Sequence, residues 1–159
     1  MKNSELQNIF LEELQKQLGD WKFVKNERHF KKADGQMIWI FHISCINHTN
    51  DFDSIGDVAV EYKKGKERLC IIGAELGNIE GVGQKRFPVG DARQASSSAI
   101  ALYNYFQLIG LPFLQRFSNP NEVVSTLKKG GKEAILISPL LNQHQEQINA
   151  LSQHYGISI

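Results

Sequence analysis

The chain is poor in cysteine and proline and carries almost no net charge. There are two cysteines in 159 residues, Cys45 and Cys70, each inside an apolar run. That excludes a disulfide scaffold and a cysteine-built metal centre, and suits thiols packed as small hydrophobes. Lysine plus arginine number 18 against 17 acids, for a net charge of +1. With no global field to draw in polyanions, nucleic acid and anionic membrane are disfavoured as partners. No apolar run approaches the roughly 20 residues of a membrane span. The opening MKNSELQNIF lacks the apolar stretch of a signal peptide, so the expected setting is cytoplasmic. There is no internal repeat, low-complexity tract or linker, and the length suits one domain over 1–159.

What is present reads as α+β. Ser4 with Gln7 forms a capping-box pattern. Leu6, Ile9, Phe10, Leu14 and Leu18 follow at helical spacing, and Gly19 is the expected stop. The pattern predicts a helix over 4–18. Asp34-Gly35 signals a hairpin between a highly charged arm, suited to a sheet edge, and a second arm apolar on both parities. That second arm, Met37 to Ile46, predicts a central strand covered on both faces. IGDVAVEYKKG and ERLCIIGAEL predict a second hairpin turning at Lys64-Gly65. The expected sheet therefore has about four strands from two hairpins, with helices packed on one face. A loop is expected over 76–90. Asp91 with Gln94 caps a helix that Gly110 stops. Asn119-Pro120 with Glu122 starts a short helix ending at Gly130-Gly131. EAILIS reads as a strand, Ser138-Pro139 as the start of a last helix, and ISI as a short terminal strand.

Four of the thirteen glycines fall in GAELGNIEGVGQKRF, residues 73–87. A Walker loop is excluded, because Gln84 follows Gly83 and no hydroxyl follows Lys85. The dinucleotide fingerprint is excluded too, since Arg86 stands where the third glycine belongs. What remains is a loop whose Glu75, Asn78, Gln84, Lys85 and Arg86 are expected to meet a partner protein or a small anionic ligand. The alternative is a divergent metal-dependent nuclease or hydrolase. Asp57 and Glu75 on adjacent strands would hold the metal, but Gly77 occupies the position of the water-orienting lysine. Whether the chain is an enzyme stays open at this point, and no cofactor is implied.

Other patterns carry less. Asp51, Asp53 and Gly56 hint at a calcium loop, but Ile55 and Tyr62 stand at ligand positions. Of the histidines, the pair His42 and His48 is too widely separated along a strand to chelate. His144 and His154 are expected to point different ways on the last helix, so no metal site is expected. Serines 96–98 lack a nucleophile elbow. The basic arm Lys22–Lys32 is interrupted by Glu27. Phe113 and Phe117 read as core, and the narrow apolar stripe of the last helix as packing on the sheet rather than self-association.

The phrases FVKNERHFKKADGQ, GAELGN…QKR and GLPFLQRFSN, spread over roughly residues 5–130, resemble a family of small bacterial proteins known only as a domain of unknown function. Relatives often carry tryptophan after QKR, where this chain has Phe87. The resemblance implies no reaction or cofactor. It lowers the nuclease reading and points to a binding or accessory role, of the kind some small bacterial proteins have as immunity factors beside toxins.

Overall fold

The computed structural model describes residues 1–158. An N-terminal helix, α1 (Asn3–Gln17), leads into a meander of antiparallel strands: β1 (Lys22–Val24), β2 (His29–Asp34), β3 (Met37–Asn47), β4 (Phe52–Lys64) and β5 (Glu67–Glu75). After helix α2 (Leu76–Glu80), a sixth strand, β6 (Phe87–Val89), returns to pair with the start of β4. Helices α3 (Ala92–Tyr105), α4 (Leu111–Phe117), α5 (Pro120–Lys129), α6 (Gly131–Ile137) and α7 (His144–Tyr155) complete the chain. The α+β class and the segregation of helices to one face are as expected. The sheet has six strands rather than about four.

The charged arm breaks into two strands. Arg28 takes a left-handed conformation (φ 51°), so β1 folds back on β2 and becomes the charged sheet edge. The hairpin loops are Gly35-Gln36 and Gly65-Lys66, each one residue later than expected. In each, glycine stands first in the loop with a positive φ, as a type II′ turn requires. β4 begins at Phe52, inside the segment expected to be loop, because Phe52 packs edge-on against Phe10 of α1.

The core lies between the sheet and the helices. Phe41 stacks on Phe106, with ring centroids 4.3 Å apart. Phe30, Val58, Val60, Tyr62 and Ile72 are buried on the same face. Tyr62 donates its hydroxyl to the Phe117 carbonyl and meets Tyr155 of α7 edge-on. Phe113 and Phe117 are core residues. The opposite face is less covered. There Ile40 is buried, but Ile38, His42, Ser44, Ala59 and Ile71 are half-buried. β3 is thus central, as expected, but covered on both faces only in part: Phe41 and Ile43 are buried toward the helices and Ile40 alone on the other face.

Several local expectations are corrected. Ser4 is inside α1, which starts one residue earlier without a side-chain cap. Gln7 instead accepts from Arg28 and donates to Asn47, tying α1 to the sheet. α1 ends at Leu18 as C-cap, before Gly19. Gly110 does not stop a helix: α3 continues through a π turn (Phe106–Gly110) into α4. A Cβ there would stand 2.9 Å from the Phe106 ring, 3.0 Å from Leu76 and 3.1 Å from Val58. The glycine is needed for close approach of helix to sheet. EAILIS is helix α6, burying Ala134 and Ile137 at helical spacing and exposing Ile135. α7 starts at His144, after a single 3₁₀ turn (Leu141–Gln143), so Leu141 is exposed instead of on the buried stripe. Ile148 and Leu151 pack inward as expected. Ile157 and Ser158 form no strand, and Ile159 lies outside the described residues.

Candidate functional site

The expected loop over 76–90 is built rather than bare. It holds the short helix α2, two left-handed glycines (Gly81 and Gly83) and β6. Glu75, the last residue of β5, organises it. The Glu75 Oε2 accepts from the Gly77 amide at 2.8 Å and the Lys85 amide at 3.1 Å. Its Oε1 accepts from the Asn78 amide at 3.0 Å. One carboxylate therefore caps α2 and clasps the far end of the loop against it. Glycine at 77 allows the clasp, since a Cβ would meet the Gly83 carbonyl oxygen at 2.0 Å.

The remaining expected residues separate into two groups. Lys85 lays its ammonium over the rings of Phe87 and Tyr105, at 5.9 and 5.8 Å. Tyr105 donates to Glu80 at 2.7 Å, and its hydroxyl pKa is pushed up by desolvation and then by that carboxylate. Arg86 donates to Gln84 at 2.9 Å and to Asp53 at 3.3 Å. The two cations are thus held by different partners. Phe87 is buried, so Arg86 reaches the surface without its aromatic neighbour. Between the glycines, Val82 is 64% exposed.

Glu75 and Asn78 look the other way. They line a cleft of about 680 Å³ on the less covered face of the sheet, a volume suited to a small ligand or a few peptide residues. Asp57, Ala59 and Gly73 also line it, and Ile135, Pro139 and Leu140 form its apolar wall. The Gln147 amide of α7 donates to the Ile71 carbonyl of β5 at 3.4 Å.

Asp57 and Glu75 are direct register partners on β4 and β5. Glu75 is buried with both oxygens engaged by amides. Asp57 is 41% exposed, with the His42 Nδ1 3.8 Å from its Oδ2. Among the described residues, no three His, Cys, Asp or Glu side chains are placed to hold one metal ion together. The calcium-loop acid Asp53 instead faces Arg86 and His48. His144 and His154 bond separately, to the Ser138 carbonyl and to Gln36.

Sequence reasoning missed one pair. His29 and His42 are directly opposite on β2 and β3, with ring centroids 4.8 Å apart. The hairpin register was the signal that would have found them.

The fold and this loop define an α+β protein with a clasped surface loop beside an apolar cleft. No family model, curated protein or solved structure matches the chain. Among the described residues no helix is long and apolar enough to cross a membrane.

Proposed function

We propose that this chain is a non-enzymatic binding or accessory module that docks a partner protein through the loop 75–90 and the adjoining cleft. The observation that carries the reading is the Glu75 clasp. Three backbone amides on one buried carboxylate hold the loop in shape before any partner arrives. A preordered loop loses little conformational entropy on docking. It presents exposed Val82 and Arg86, while Glu75 and Asn78 line the adjoining cleft. The likeness to the small bacterial family rests partly on GAELGN, the phrase that builds the clasp. A protein partner is favoured over a small anion because Lys85 and Arg86 are drawn to separate groups.

The hydrolase alternative needs the Glu75 carboxylate free for metal, and three backbone amides already hold it. Two experiments separate the readings. Titration with Mg²⁺ and Mn²⁺ should show no binding that depends on Glu75; binding abolished by Glu75→Ala would favour the hydrolase. Affinity capture from host extract should yield a protein lost with Val82→Asp or Arg86→Ala and retained with the remote Lys22→Ala. Identical capture by all three variants would remove the loop from the reading.

A further inference from the structure

We propose that His29 and His42 form a two-imidazole chelate for a borderline transition cation such as Zn²⁺, Ni²⁺ or Cu²⁺ on the less covered face of the sheet. This site is separate from the loop and does not rest on its reading. The two residues are held opposite each other by the β2–β3 register. Directly opposed cross-strand residues keep their Cβ atoms about 4.5–5.5 Å apart. Their rings meet edge to face at 83°. Each imidazole turns its Nδ1 toward a carboxylate. His29 Nδ1 lies 3.1 Å from Glu27 Oε2, out of line for a full hydrogen bond, and His42 Nδ1 lies 3.8 Å from Asp57 Oδ2. Neither Nε2 is bonded to a protein group among the described residues. Each ring thus has a carboxylate near its Nδ1, though not hydrogen-bonded to it.

Imidazole nitrogens favour zinc, nickel and copper over magnesium or calcium. The ligands must be neutral to bind. With no third side chain converged on the point, water completes the coordination sphere. Surrounding side chains support the site without closing it: His42 is 36% exposed and His29 26%.

The test is calorimetric titration of the intact chain with Zn²⁺ in a non-chelating buffer, paired with Cu²⁺ electron paramagnetic resonance. One saturable site is expected, with two nitrogen ligands in the copper spectrum. His29→Ala and His42→Ala should each abolish it, and His48→Ala should leave it intact. Zn²⁺ should also raise the melting temperature of the unmodified chain, a readout that does not depend on how well the variants fold. Absence of saturable binding below millimolar Zn²⁺, no thermal shift, or binding that survives either substitution would overturn the proposal.

Discussion

Asp57 and Glu75 face each other across β4 and β5, yet their carboxylates do different work. Glu75 is buried and accepts from three amides. Asp57 stays half open beside His42. Strand register sets the two side by side, and the chain that follows β5 decides their roles, because α2 turns its amides back onto Glu75 alone.

Replacing Glu75 therefore damages the loop before anything else. Glu75→Ala leaves the Gly77, Asn78 and Lys85 amides without their shared acceptor. Loss of an N-cap costs about 1 kcal/mol, and buried unsatisfied donors add to it. We expect about 2–3 kcal/mol lower stability in urea unfolding, by the same magnitudes. Glu75→Gln keeps one acceptor oxygen and should lose less. Limited proteolysis should cut the alanine variant between Gly81 and Arg86 faster than the parent. Equal cleavage of the two would mean that the clasp does not order the loop.

The α1 stripe, the central position of β3 and both hairpins were legible because long periodic segments announce themselves. Turn position was not. Gly35 and Gly65 stand first in their loops, whereas an Asp-Gly pair ordinarily places glycine second. A turn one residue earlier would set His29 across from Ile40 and hide the histidine pair. EAILIS was ambiguous because six mostly apolar residues suit a buried strand or one side of a helix equally. The two glycines before it, both at positive φ, start a new helix. Asp57 and Glu75 could be placed on adjacent strands from sequence. That Glu75 caps α2 through the Gly77 and Asn78 amides is local; that the Lys85 amide ten residues ahead joins them is a tertiary fact no local pattern carries.

Gly110 supplies a packing test. Gly110→Ala keeps helical backbone angles, so propensity alone would stabilise the helix. The added methyl meets Phe106, Leu76 and Val58 at about van der Waals overlap. Overpacking of this kind costs about 1–3 kcal/mol. We expect a net drop in melting temperature; a rise would show that the π turn moves freely away from the sheet.

Thiol chemistry should divide the two cysteines. Cys70 is buried on the helix-facing side of β5, and burial pushes its pKa up to about 12. Cys45, also raised by burial, is only partly covered. The thiolate is the reactive form. A disulfide reagent at neutral pH should leave Cys70 unmodified in the native chain and label it once urea unfolds the protein. Native labelling of Cys70 at the denatured rate would place β5 outside the stable core.

Acid should loosen the fold in two stages. His29 has a folded pKa below its ordinary 6.5, chiefly from desolvation and next from His42. The unfolded chain therefore takes up this proton more readily than the native one. The native state is at full advantage above pH 6.5 and loses ground as pH falls through the lower folded value. Glu27 works in a lower window. Its pKa is depressed from 4.5, first by its hydrogen bond to Lys31, so its contribution holds above 4.5 and fades as pH falls through the depressed value. Melting temperature should accordingly decline below pH 6.5 and again below 4.5. His29→Gln, which cannot take a proton, should flatten the upper decline and leave the lower one. An unchanged upper slope in that variant would assign the first stage to another group.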